Sequence, residues 1–229
     1  MEDKINIIYE DDYIVVVDKP SGLVVNRSNT YKYKTLQDFL EEKYTFKGSE
    51  SEFEDRSGAV HRLDKDTSGC LIIAKDEETF LNLQKQFKER TVEKEYVALV
   101  NGRVGEESLE IKAPIGRSLS NPLKFSVVSS GKPALTKIEK IKDVEIDGNL
   151  FSLLTVNPKT GRTHQIRVHL SALYHPVVCD AIYCSKKLLE MNRNVFNRLM
   201  LHARFLDIFH PKTQKNMRFE APLPNPFKL

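Results

Sequence analysis

Asp147-Gly148 constrains this sequence more than any other pair of residues. It lies between two strand-like runs, 135–146 and 150–156. Asp-Gly accepts the left-handed backbone of a two-residue hairpin turn, and such a turn commits its flanks to antiparallel pairing. Other runs follow the same pattern. Apolar, β-branched stretches at 5–9 and 13–17 precede the turn cluster Asp18-Lys19-Pro20-Ser21-Gly22. A buried-type strand spans 70–75, a longer one 92–100 is closed by Asn101-Gly102, and two more are expected at 201–209 and 215–221. Helices are interspersed. Leu36, Phe39, Leu40 and Tyr44 recur at helical spacing. Asp76 can cap a helix whose first turn holds Glu77 and Glu78, whose inner face holds Phe80, Leu83 and Phe87, and which ends near Arg90. Further helices are expected over 162–173, with Ile166, Leu170 and Leu173 inward, and over 186–199. The polar stretch 45–58 reads as a mobile connection. There is no regular βαβ rhythm, so the expected class is α+β: a mixed, mainly antiparallel central sheet with flanking helices.

The chain has 229 residues, 40% of them apolar, and shows no internal repeat or composition break. A single domain over 1–229 is therefore expected. Apolar runs are only a handful of residues long, far short of the roughly 20 a membrane span needs, and the acidic start Met-Glu-Asp-Lys has no apolar signal core. The net charge of +3 permits a polyanionic partner without demanding one. Three cysteines, Cys70, Cys179 and Cys184, form no Cys-x-x-Cys pair and read as free thiols of a reducing cytoplasm. No four-ligand metal spacing is present; His164 and His169 are not at the i, i+4 spacing of a helical pair. Dinucleotide, P-loop and nucleophile-elbow patterns are absent too.

Two clusters can carry chemistry. The first is His61-Arg62-Leu63-Asp64-Lys65-Asp66-Thr67-Ser68-Gly69, just before the strand at 70–75. It reads either as a loop presenting a carboxylate or as a solvated turn with a capping Asp. The second is Asn157-Pro158-Lys159-Thr160-Gly161-Arg162-Thr163-His164-Gln165-Ile166-Arg167-Val168-His169, where a strand ends and a helix begins. A helix start offers unpaired N–H groups and a positive dipole, to which Arg162 and Arg167 add charge. Arg167 sits at the edge of the apolar face, within reach of a buried carboxylate. Tyr96, in Lys94-Glu95-Tyr96, shares a strand face with Lys94 and Ala98.

With these residues in view, the sequence resembles the pseudouridine synthases of the RluA type. Motifs in the family's order carry the resemblance: Asp18-Lys19-Pro20-Ser21-Gly22-Leu23-Val24-Val25, His61-Arg62-Leu63-Asp64 with Thr67-Ser68-Gly69 and Ala74-Lys75, Lys94-Glu95-Tyr96, Gly161 to His169, and Leu201-His202-Ala203 with Phe209-His210-Pro211. The sequence departs from the family at Asn26, where His is common, and at Cys179 and Cys184, which replace both glycines of Gly-Asp-x-x-Tyr-Gly. An N-terminal RNA-binding module of the S4 type, carried by many relatives, is not expected here.

The resemblance implies isomerisation of uridine to pseudouridine in ribosomal or transfer RNA, with no cofactor and no metal. It makes Asp64 the catalytic carboxylate, Tyr96 the residue that stacks on the target base, and Arg167 the partner that holds a carboxylate ionised. It leaves two routes open, attack by Asp64 as nucleophile or assisted expulsion of uracil through a glycal. Lys19, His61, Arg62, Arg162, His164, Gln165 and Leu201 are the expected RNA contacts, Arg62 filling the place of a flipped base or holding its phosphate, and Leu201 packing on the flipped ring. A cytoplasmic monomer with no membrane partner completes the expectation. The alternatives are a catalytically silent RNA-binding protein on the same fold and a hydrolase using Asp64 with His61.

Overall fold

The computed structural model describes residues 5–28, 31–46, 51–122 and 124–229. In chain order its elements are β1 (Asn6–Glu10), β2 (Ile14–Lys19), α1 (Leu36–Lys43), α2 (Glu52–Asp55), β3 (Ser68–Ala74), α3 (Glu77–Glu89), β4 (Glu93–Asn101) and β5 (Ser108–Lys112). Then follow β6 (Ile115–Arg117), β7 (Phe125–Val127), β8 (Leu135–Ile146), β9 (Asn149–Pro158), α4 (Gln165–Ala172), α5 (Lys186–Arg193), β10 (Leu201–Phe209) and β11 (Asn216–Glu220). The chain forms two compact units. The first comprises Met1–Glu93 with Ala203–Pro222, the second Lys94–His202 with Leu223–Leu229.

In the first unit β2 pairs antiparallel with β1 and with β3, and β11 pairs antiparallel with β10, which neighbours β3. All seven residues of β3 are buried, as a continuous apolar strand covered on both faces requires. Gly69 lies in β3 at φ +117, and a Cβ there would stand 2.1 Å from the carbonyl oxygen of Ala203. The residue is glycine because β10 runs too close for any side chain. Asp76 caps α3 by accepting from the N–H of Thr79 at 2.8 Å, and Arg90 ends the helix with a left-handed φ of +62.

In the stretch 45–58, read as a mobile connection, the described parts 45–46 and 51–58 are packed against the fold at Phe46, Phe53 and Gly58. Phe53 is 1% exposed and stands edge-on between Phe46 and Phe80, with both ring centroids 5.8 Å away. Gly58, at φ +74, accepts from the N–H of Ala74 at 2.9 Å and leaves no room for a Cβ, which would lie 2.0 Å from the Ala74 oxygen. Two phenylalanines and one glycine tie down a segment whose composition is otherwise that of a loop; residues 47–50 lie outside the described residues.

In the second unit β9 pairs antiparallel with β4 and with β8, and β8 pairs antiparallel with β5. Asp147 and Gly148 take φ of +50 and +72, the double left-handed turn expected between β8 and β9. The short strands β5, β6 and β7 fall where the sequence has no clear strand run. α4 starts at Gln165 rather than 162, because His164 is left-handed at φ +55 and ends the turn that precedes the helix. α5 stops at Arg193. No helix among the described residues is long and apolar enough to cross a membrane.

Candidate active site

In the first unit Asp64 opens a tight turn, closed by the N–H of Thr67 donating to the Asp64 carbonyl at 3.1 Å. Leu63 before it and Thr67 and Ser68 after it are buried, the Asp64 side chain is half-buried, and Arg62 is exposed. The turn is gripped through its main chain by residues 19–22. The Lys65 carbonyl accepts from the Gly22 N–H at 2.9 Å and from Lys19 Nζ at 3.0 Å, and the Asp66 carbonyl accepts from Ser21 Oγ at 2.6 Å. Lys19 Nζ also donates to the carbonyls of Pro20 and Leu23, each at 2.8 Å. An ammonium has three protons, and three carbonyls receive them. Gly22 supplies the left-handed corner, φ +92, with nothing near its missing Cβ.

This grip explains why Asp18-Lys19-Pro20-Ser21-Gly22 accompanies His61 to Gly69: the first motif is the clamp of the second. It also gives Lys19 a task inside the protein: Lys19 is 0% exposed, and its ammonium builds the loop. His61 is a staple as well. Its Nε2 accepts from the Ile72 N–H at 3.1 Å, and its ring stacks on Phe87 at 4.7 Å.

In the second unit Tyr96 stands on β4 opposite Val156, half-buried against the apolar core. Burial, assisted by the charge of Lys159, pushes the nearby Lys94 ammonium down to about 8. Leu201 is 3% exposed, in the core with Val178 and Leu199.

The turn into α4 is organised by Gln165, 4% exposed. Its Oε1 accepts from Thr160 Oγ1 at 2.6 Å and from the Arg162 N–H at 3.1 Å, while Nε2 donates to the Leu135 carbonyl at 2.9 Å and Thr136 Oγ1 at 3.0 Å. The amide thus makes four internal bonds that shape the turn. Arg162 is half-buried, with Nε donating to the Pro133 carbonyl at 3.1 Å. His164 Nδ1 lies 3.0 Å from the Tyr183 hydroxyl.

Arg167 is buried and forked onto Asp180, Nε to Oδ2 at 2.7 Å and Nη2 to Oδ1 at 2.9 Å. The sequence placed Arg167 near a buried carboxylate without revealing that one is Asp180. Its own signal was the Cys179 to Cys184 stretch. Cys179 takes φ +59, the conformation glycine adopts freely, and it is secured by its N–H donating to Asn192 Oδ1 at 3.2 Å. Asn192 Nδ2 donates to Asn101 Oδ1 at 2.7 Å, and Asn101 Nδ2 to the Pro176 carbonyl at 2.8 Å. Buried amides thus keep the turn that replaced glycines would be expected to lose. Burial pushes the Cys179 and Cys184 thiols up to about 11, so both stay protonated at neutral pH.

A carboxylate at the mouth of a clamped turn, a tyrosine on a strand and a buried arginine fork are the candidate functional groups of the two units, and they belong to the stretches that comparison with known proteins picks out. The family model described as RNA pseudouridylate synthase matches residues 13–172. The chain belongs to this family, whose members isomerise uridine to pseudouridine in RNA. Ribosomal large subunit pseudouridine synthase C of Buchnera aphidicola subsp. Baizongia pistaciae is 38% identical over 226 residues, which are 97% of this chain and 68% of that one. Ribosomal large subunit pseudouridine synthase D of Nitrosomonas europaea is 36% identical over 224 residues, 96% of this chain and 62% of that one. Among solved structures, human RNA Pseudouridylate Synthase Domain Containing 1 superposes with a TM-score of 0.77 at 30% identity, covering 96% of this chain and 84% of its own. The α+β class expected from the sequence is the class found.

Proposed function

We propose that this pseudouridine synthase acts on ribosomal RNA, as the names of its relatives suggest, and that Asp64, Tyr96 and Arg167 serve one uridine. The bond from C1′ to N1 breaks, the uracil turns, C5 joins C1′, and the proton lost from C5 is regained at N1. Asp64 faces C1′ as the carboxylate, Tyr96 stacks on the base, and Arg167 keeps the carboxylate ionised and oriented. Arg62, exposed two residues before Asp64, takes the place of the flipped nucleotide or its phosphate; Arg162 and His164 are the further RNA contacts. The protein works as a cytoplasmic monomer.

The observation that carries this reading is the clamp on the Asp64 turn. Three donors from residues 19–22 fix the main chain immediately after a carboxylate whose side chain keeps solvent access. A solvated turn has no use for a buried lysine beneath it. The test uses ribosomal and transfer RNA transcribed in vitro, which contain no pseudouridine. New carbodiimide-dependent reverse-transcription stops with the parent chain, absent with Asp64→Ala, are expected on ribosomal RNA. Stops confined to transfer RNA would replace the substrate, and stops that persist in Asp64→Ala would remove Asp64 from the chemistry.

A further inference from the structure

The Arg167 guanidinium is fixed along one edge and on one face. Asp180 takes Nε and Nη2, and the ring of Tyr183 lies 5.3 Å from the guanidinium carbon. Asp180 is itself immobilised: it is 0% exposed, and its Oδ1 also accepts the N–H groups of Ile182 and Tyr183 at 3.0 and 3.1 Å. Tyr183 is held at its other end, where its hydroxyl meets His164 Nδ1 at 3.0 Å. His164 is the N-cap residue of the helix that carries Arg167. The contacts therefore close a ring. One side is α4 with its cap, contributing His164 and Arg167; the other is the turn after Cys179, contributing Asp180 and Tyr183; the two sides touch three times, Arg167 to Asp180, Arg167 to Tyr183 and His164 to Tyr183.

A buried ion pair is a poor device for stability alone, since apolar side chains of the same volume commonly do as well. What a two-toothed fork adds is orientation. We propose that Asp180 and Tyr183 are positioning residues for the isomerisation, holding the Arg167 guanidinium in the one orientation that serves the reacting carboxylate. The proposal rests on the role given to Arg167 above. Neither residue touches the substrate. Both act through Arg167, so their loss lowers kcat, leaves KM nearly unmoved, and matters only while a guanidinium is there to be aimed.

The decisive variants are Tyr183→Leu, Asp180→Asn and Arg167→Lys, with Tyr183→Leu also made in the Arg167→Lys background. Each is assayed for kcat and KM on the RNA that the parent chain modifies. Asp180→Asn is expected to lower kcat about 100-fold and Tyr183→Leu about tenfold, the scale of misplacement effects, with KM changed less than about threefold. In the Arg167→Lys background, which keeps the charge but not the fork, Tyr183→Leu is expected to cost nothing further. Asp180→Asn leaves a buried guanidinium without its counter-charge and can fail to fold; Tyr183→Leu removes no charge and keeps the test intact. A second readout is independent of turnover: the Arg167 Nε–H resonance should exchange slowly with water in the parent chain and faster in Tyr183→Leu. Multiplicative losses in the double variant, a loss expressed in KM, or unchanged Nε–H exchange would each overturn the proposal while the parent chain stays active. An inactive parent chain overturns the reading of Arg167 itself, and this inference with it.

Discussion

The turn carrying Asp64 and the pocket carrying Arg167 are held by opposite means. Around Asp64 the main chain does the holding: the carbonyls of Lys65 and Asp66 receive the clamp, and the functional side chain stays half-buried. Around Arg167 the side chains hold one another, and Asp180 and Arg167 have almost no exposed surface. A carboxylate that meets a ribose cannot have all its oxygen valences taken up by the protein, so part of its precision has to reach it through the backbone. A cation that works by orientation can have its donors engaged, because being held is the function. Substitutions should therefore separate chemistry from folding in the first region and couple them in the second.

The largest expected effect tests that separation directly. Asp64→Ala keeps the turn's carbonyl, its bond from Thr67 and the whole clamp. Activity should fall at least about a thousandfold, while the unfolding temperature falls less than it does in variants that break the clamp itself. A large drop in unfolding temperature would mean that the carboxylate itself braces the loop, and the contrast with Arg167 would disappear.

Gly69→Ala attacks the support on which the clamped turn rests. The new methyl would stand 2.1 Å from the Ala203 oxygen at a backbone φ of +117. β10 would have to move away from β3, and overpacking with backbone strain should destabilise the first unit by about 4 kcal/mol, measured by denaturant unfolding. Lys19→Met is somewhat milder. Its side chain matches the apolar stem, but the carbonyls of Pro20, Leu23 and Lys65 lose a shared donor. A cost of about 3 kcal/mol follows if water fails to replace the ammonium, together with a fall in kcat from a loosened Asp64 turn. Full activity in Lys19→Met would show that Gly22 and Ser21 suffice to aim Asp64.

How much of this was legible beforehand depended on the range of the interaction. The β8–β9 hairpin, the Asp76 cap and the alternating strands are set by neighbouring residues, and the sequence displays them directly. The motifs around Asp64 and Arg167 were visible as motifs, but not their mechanics. The clamp joins Lys19 to Lys65 across 46 positions and Asp180 lies 13 positions from Arg167; no local pattern encodes such pairings. Burial misled in both directions. Lys19 and Gln165 looked like surface groups because of what they are, yet their polar atoms are satisfied inside. The stretch 45–58 looked mobile because of its glutamates and serines, whereas Phe46 and Phe53 are packed in its described parts.

The smallest effect is a difference in how acid loosens the two units. His169, on the helix of Arg167, is 0% exposed; its Nε2 donates to the Ala113 carbonyl at 3.0 Å and its Nδ1 accepts from the Thr136 hydroxyl at 2.8 Å. Burial holds its pKa below the ordinary value, against the opposing bond to Ala113. Between that lowered value and about 6.5 the unfolded chain binds more protons than the native one, so stability rises with pH there and is fully present above about 6.5. In the first unit Asp11 is the counterpart. Burial pulls its carboxyl up, but the N–H groups of Ile14 and Tyr13 and the Tyr9 hydroxyl outweigh that and hold it below the usual carboxylate range. Its contribution is present at pH 5 and fades only as the solution falls below about 4. Amide hydrogen exchange between pH 6.5 and 5, corrected for intrinsic rates, should therefore lose protection around α4 while β2 and β3 keep theirs. His169→Gln should flatten the first response, because glutamine offers neutral donors and acceptors at every pH. Equal loss in both regions over that range, or a response that survives His169→Gln, would show that acid acts elsewhere and that the helix of Arg167 is no more sensitive to proton uptake than the strands beneath Asp64.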